Sequence, residues 1–158
     1  MAPVGASGDK VRLTTTGRYN WTSRHPWIVE AARKIRQKQF VLDGEAVILG
    51  VDGISDFNAL HSRKHDDEVQ FCAFDILVDG GNDLRKLPLS MRKANLERLL
   101  ARRPEGCSSI HLSAARSVLI YATCRMGLEG LVSKRRDRPY QAGRSKHWVK
   151  IKNRSIRR

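Results

Sequence analysis

Asp43 and Glu45 stand on either side of Gly44 inside the mostly apolar run Phe40–Leu49. In an extended strand residues i and i+2 share a face, so the two carboxylates point the same way. Such acids are costly to bury unless they meet a metal, a cation or a ligand hydroxyl; the plain alternative is a strand end with solvated acids. Phe71-Cys72-Ala73-Phe74-Asp75 repeats the theme, an apolar run ending on a carboxylate beside an aromatic ring. By composition Phe74 reads as core; at a nucleotide site its ring would stack on a base, contributing ~1–3 kcal/mol. In Gly127-Leu128-Glu129-Gly130-Leu131-Val132-Ser133-Lys134, glycines flank a lone acid and let the backbone approach something closely, before an apolar strand that ends in lysine. Trp148-Val149-Lys150-Ile151-Lys152 sets two ammonium groups on one strand face, where they repel unless a phosphate lies between them. A solvated edge strand is the simpler reading of that segment.

These groups need elements to hold them. Val11–Thr16, Phe40–Leu49 and Gln70–Val78 are predicted strands, and Gly50-Val51-Asp52-Gly53 and Asp79-Gly80-Gly81-Asn82 are turn signals. Pro26 opens a predicted helix with Ile28, Ala31, Ala32 and Ile35 at helical spacing, running to about Lys38. Ser90 is placed to cap a second helix, running to about Arg102 with Leu96, Leu99 and Leu100 facing inward. A third is expected over Ala114–Met126, and Leu131–Ser133 and Trp148–Ile151 read as strands flanking a basic loop. Met1–Asp9 is small and glycine-rich and is expected to be frayed, and His61–Glu68 is expected to be loop-like. Strands and helices mix without regular βαβ alternation, which favours an α+β fold.

The 158 residues suffice for one core but not for two ordinary domains. No apolar run reaches membrane-span length, and Met1–Lys10 lacks the apolar stretch of a signal peptide. Cys72, Cys107 and Cys124 are too scattered for a disulfide framework or a zinc cluster and read as reduced thiols in a cytoplasmic protein. Of the net charge of +14, residues 125–158 carry 12 Lys/Arg against 2 Asp/Glu. Such a pole attracts a polyanion, nucleic acid or a nucleoside polyphosphate; a merely solvated surface is the alternative.

Taken in order, Asn20-Trp21-Thr22, Leu42-Asp43-Gly44-Glu45, Ala73-Phe74-Asp75-Ile76-Leu77, Met126–Lys134, Tyr140, Gly143-Arg144-Ser145 and Trp148–Lys152 resemble the adenylation domain of ATP-dependent DNA ligases, particularly the bacterial ligase D type. The resemblance implies an ATP-grasp-like nucleotidyltransferase fold of mostly antiparallel sheets flanked by helices, incomplete at the N-terminus. It divides the chain into a flexible segment 1–10, a partial adenylation domain 11–153 and a basic tail 154–158, with no OB-fold domain. It further implies ATP (held as AMP) and Mg²⁺ as cofactors, nicked or broken double-stranded DNA as partner, and a bacterial, nucleoid-associated setting. In this family a lysine attacks the α-phosphate of ATP, and the AMP passes to a DNA 5′-phosphate before the 3′-hydroxyl displaces it; such chemistry rests on positioning and charge neutralisation. The resemblance makes Asp43, Glu45, Phe74, Lys134, Lys150 and Lys152 nucleotide-binding, with Phe74 stacked on adenine, Lys134 at the phosphate end, and Lys150 and Lys152 on the α-phosphate. Glu129 and Glu45 become metal-binding, typically through water. Arg135, Arg136 and Arg144 become candidates for the DNA backbone.

The sequence departs from the pattern in telling places. None of its ten lysines is followed by x-Asp-Gly, the family's nucleophile motif. Lys10 precedes a strand that in the family follows the nucleophile, and so is a poor substitute. The expectation is a chain that does not adenylate itself, with an upstream segment or a partner chain supplying that motif. Thr15-Thr16-Gly17-Arg18 puts Thr16 where the family has an arginine, and Arg18 replaces it only if the loop is rearranged. The region Ile110–Val118 looks shorter than its family counterpart. Three rival readings stand beside this one. They are an RNA ligase or capping-type nucleotidyltransferase, a non-catalytic nucleic-acid-binding remnant that uses the basic pole, and a metal site at His61, His65, Asp66, Asp67 and Glu68.

Overall fold

Alternation of apolar and polar residues lays down one continuous sheet. In the computed structural model, which describes residues 2–15, 17–49, 56–101, 110–112, 130–143 and 145–152, its strands are β1 (Ala2–Ser7), β2 (Lys10–Leu13), β3 (Gln39–Val47), β4 (Gln70–Asp79), β5 (Asn82–Asp83) and β6 (Ile110–Leu112). Their order is β2-β1-β3-β4-β5, antiparallel throughout, with β6 added parallel to β4. A separate antiparallel ribbon is formed by β7 (Gly130–Lys134) and β8 (Trp148–Lys152). Helices α1 (Pro26–Lys34), α2 (Phe57–Ser62) and α3 (Leu89–Ala101) complete the described elements. None is long and apolar enough to cross a membrane. The expected helix over Ala114–Met126 lies outside the described residues.

The expectation of a frayed start is corrected. Residues 2–7 form β1, which pairs with β2 on one side and β3 on the other. Val4 is fully buried there. Alanine, glycine and serine carry little strand propensity of their own, so the strand is made by its two neighbours. Pro3 is tolerated because it lies at the strand's start, before pairing with β2 begins at Val4↔Leu13.

Phe40, Leu42 and Ala46 alternate inward from β3, with Ile48 just beyond its end, and share the core with Phe71, Ala73 and Ile76 of β4. The same core takes Ile28, Ala31, Ala32 and Ile35 from the α1 side and Leu96, Leu99 and Leu100 from α3. Pro26 does open α1, but the helix stops at Lys34, where Ile35 turns extended with ψ 129°. The polar stretch around His61 is partly helical, because the Asp56 side chain accepts from the Ala59 N–H and caps α2. Of the metal-site reading there, Asp66 is committed to Arg24 and His65 to Glu68.

Two features of the central β3–β4 pair position the groups beside it. The register shifts between Val41 and Leu42 and again between Asp43 and Gly44, so the ladder skips Leu77 and Phe74 of β4. Such bulges re-aim side chains. Gly44 is required by close approach: a Cβ there would lie 2.3 Å from the Phe71 ring and 2.7 Å from the Cys72 carbonyl.

His25, at the N-cap of α1, is fully buried with Trp21 edge-on at 5.5 Å, and makes no side-chain cap bond. Burial, then the neighbouring Arg24 charge, hold its pKa below 6.5 against the opposing pull of Asp66. The native state therefore excludes a proton that the unfolded chain accepts, and stability falls as pH drops below 6.5. His25→Leu is expected to flatten this dependence. In urea titrations its midpoint should gain most on the wild type near pH 5 and least above pH 7.

Candidate functional site

The second bulge sets the site. It brings Asp75 opposite Asp43 in register, one residue after the skipped Phe74, so β4 offers a ring and a carboxylate side by side. Asp75 is fully buried. Its partner is Arg92 of α3, 2% exposed, whose Nε and Nη2 donate to Oδ1 and Oδ2, each at 2.9 Å. Oδ1 also accepts from the Ile76 N–H at 2.9 Å. A bidentate, hydrogen-bonded pair of this kind is the arrangement that makes two buried charges tolerable.

Arg92 reaches further than Asp75. Its Nη1 donates to the Leu87 carbonyl at 2.6 Å and to the Arg138 carbonyl at 3.4 Å. The Leu89 and Ser90 N–H groups, at the start of α3, donate to the carbonyls of Arg138 and Arg136 at 3.0 and 3.1 Å. The segment after β7 thus satisfies amides that a helix N-terminus leaves open. Ser90, expected to be the cap, is instead the second residue of the helix. Tyr140 closes the same segment: its N–H donates to the Arg85 carbonyl at 2.8 Å and its hydroxyl to Asp43 Oδ2 at 3.3 Å.

Docking of that segment delivers Lys134, the last residue of β7, in register with Trp148 of β8. Its Nζ lies 4.8 Å from the Phe74 ring centroid and 4.4 Å from the Trp148 ring. Burial weakens the lysine's hold on its proton, which Asp75 and Asp43 partly restore and Arg92 opposes. Asp43, 4% exposed, has its pKa raised by burial and by nearby Asp75, while Lys134 and the Tyr140 hydroxyl pull it back. Tyr140 is pushed up to about 12 by burial and by Asp43. Lys93, beside Arg92 on α3, is lowered by burial, with Asp75 opposing.

The expected site residues are therefore only partly assembled. Asp43, Phe74 and Lys134 come together from three segments of the chain. Glu45 shares its strand face with Asp43 but is exposed, paired in register with Cys72, whose thiol is raised by burial and by the Glu45 charge. Lys150 lies exposed on the ribbon opposite Val132, and Lys152 occupies the position two residues on. Glu129 and Arg144 lie outside the described residues, as does Thr16. Arg135 is exposed, and its Nε and Nη2 donate to Asp137 Oδ1 and Oδ2 at 3.1 and 3.0 Å. Arg136 is exposed, and Arg18 sits exposed in a turn at φ 63°. Among the described residues no three His, Cys, Asp or Glu cluster as a metal site. Sequence reasoning missed Arg92 and Lys93. The signal for Arg92 was its place three residues after Leu89 and four before Leu96, a charge on the buried stripe of α3.

The family model for the ATP dependent DNA ligase domain matches residues 2–152. The multifunctional non-homologous end joining protein LigD of Pseudomonas aeruginosa is 34% identical over 147 residues, covering 90% of this chain and 18% of that protein. A probable DNA ligase of Nocardioides sp. is 36% identical over 156 residues, covering 94% of this chain and 30% of that one. The solved ligase domain of M. tuberculosis LigD superposes with a TM-score of 0.80 at 31% identity, covering 96% of this chain and 50% of that one. A mycobacterial DNA ligase D complexed with ATP and MES gives the same values, TM-score 0.80 and 31% identity over 96% of this chain and 50% of that one. The chain thus spans under a third of these curated relatives and half of these solved domains.

The buried charges set two expected outcomes. Arg92→Met leaves Asp75 buried and unpaired and should cost about 3–5 kcal/mol in urea unfolding; adding Asp75→Leu should recover most of the loss. The native pKa of Asp43 lies above its unfolded value of 3.8, so its ionisation costs stability as pH rises through the native value. Asp43→Asn should raise the melting temperature at pH 7, and the gain should vanish below pH 3.8.

Proposed function

This chain belongs to the ATP-dependent DNA ligase domain family, whose chemistry is nucleotidyl transfer, and from that premise we propose that the space between the large sheet and the β7–β8 ribbon holds the adenine nucleotide of DNA strand joining. The observation that carries this reading is the meeting of Phe74, Lys134 and Asp43, from three segments and both sheets, with the lysine ammonium 4.8 Å from the ring. An aromatic face, a cation and a buried acid are what a base, a phosphate and a ribose hydroxyl respectively need.

In this reading Phe74 stacks on the adenine, and Asp43, held by the Tyr140 hydroxyl, lines the ribose side. Lys134, Lys150 and Lys152 neutralise the phosphates. Mg²⁺ fits the exposed Glu45 carboxylate, and Glu129 is assigned to it from the sequence motif alone, since that ion keeps much of its water and binds through one or two carboxylates and the substrate phosphates. When bound, it withdraws charge from the phosphate oxygens. The lysines act on the same oxygens, so the chain's own work is to bind, orient and screen. Arg135, Arg136 and Arg144 are assigned to the backbone of nicked or broken double-stranded DNA. Such contacts are sequence-independent and weaken steeply with salt.

The polypeptide binds the nucleotide without becoming adenylated, because none of its ten lysines lies in a Lys-x-Asp-Gly motif. Incubation with α-labelled ATP and Mg²⁺ tests both statements. The expected result is non-covalent retention of label, weakened about tenfold or more by Phe74→Ala. An acid-labile labelled band on the protein overturns the second statement, and no retention overturns the first.

A further inference from the structure

The ammonium of Lys134 lies within cation–π reach of two rings from different sheets, Phe74 of β4 at 4.8 Å and Trp148 of β8 at 4.4 Å. Both oxygens of Asp75 are held by Arg92, and an oxygen of Asp43 accepts from Tyr140. These carboxylates act on the lysine through space, while the rings touch it. The face of Phe74 turned toward the ribbon is thus covered by a cation. A base entering between the sheets uses that same face, and one face cannot hold both.

We propose that Lys134 makes the site select nucleotides over nucleosides: at rest its ammonium covers Phe74, a base must displace it, and only a ligand that carries phosphate offers the displaced cation a new partner. The proposal rests on the nucleotide reading of this site. Adenosine removes the lysine from one ring and returns nothing to it. AMP removes it from the same ring and supplies an anion on the far side of the ribose. Burial around the lysine sharpens the difference, because a charged group away from water is costly to leave without a partner. Trp148 is the positioning residue: directly across the ribbon from Lys134, it keeps the side chain close to Phe74 in the free protein and close to the ligand afterwards.

Equilibrium dialysis of labelled adenosine and labelled AMP against the full 158-residue chain tests this, with Lys134→Met as the variant. Methionine keeps the length of the side chain and removes its charge. The expected result is that the variant binds adenosine about threefold to tenfold more tightly than the wild type, the worth of one lost cation–π contact, and binds AMP at least about tenfold less tightly. Adenosine affinity that is unchanged or weaker in the variant, with AMP affinity reduced, makes Lys134 a plain phosphate ligand and overturns the proposal while leaving the nucleotide site intact. A wild type that binds neither ligand overturns the nucleotide reading itself, and the proposal with it. A second measurement does not depend on the variant's folding. In the free wild type the Lys134 Hε resonances should be shifted upfield by the two ring currents, and should move downfield as AMP saturates the site. Hε resonances at their ordinary position in the free protein overturn the proposal.

Discussion

The ion pair between Arg92 and Asp75 is the constraint on which the site depends. Two charges almost wholly out of water must satisfy each other, and here they do so through two parallel hydrogen bonds of 2.9 Å. The guanidinium has donors to spare, and it uses them on the carbonyls of Leu87 and Arg138. One side chain therefore fixes β4 against α3 and α3 against the segment after β7. The exposed pairs Arg85–Asp83 and Arg135–Asp137 have contacts of similar length but remain in water, where solvent and salt screen them and they contribute little.

From that pair the geometry propagates outward. The bulge that turns Asp75 toward Arg92 also leaves Phe74 out of the ladder and next to it. The backbone of Arg136 and Arg138, held by the start of α3, sets where Lys134 leaves the ribbon. Tyr140, seated over Arg92 with its centroid 5.8 Å from the guanidinium, spans to Asp43 on β3. Phe74, Lys134 and Asp43 are thereby positioned by one buried charge pair instead of by three independent local preferences.

The site carries a thermodynamic cost that the fold tolerates. Asp43 and Lys134 are each pushed by burial toward their neutral forms, and each is partly restored by the other. A ligand with hydroxyls and phosphates would supply the missing partners, which is the usual tension between stability and function at a binding site. The basic excess of the chain has a complementary role at longer range. A net charge of +14 attracts polyanions over distances longer than any single contact.

Much of this was legible in residue spacing. The strands around Asp43 and Phe74 and the shared face of Asp43 and Glu45 stem from local periodicity, because backbone geometry alone sets which way successive side chains point. The start of α1 follows from the fixed φ of Pro26, and the order of the ligase-like motifs was legible only as a resemblance. Local periodicity carries no information about what covers a face. Asp43 and Glu45 point the same way, yet one is buried and the other exposed. Ala2–Ser7 has little propensity for a strand and becomes one because β2 and β3 flank it. Arg92 stood on an apolar stripe without a visible reason until Asp75, 17 residues earlier, was folded against it. The placing of Lys134 between two rings required two sheets to meet. Burial, ion pairing and ring contact are interactions between distant segments, and only the folded chain decides them.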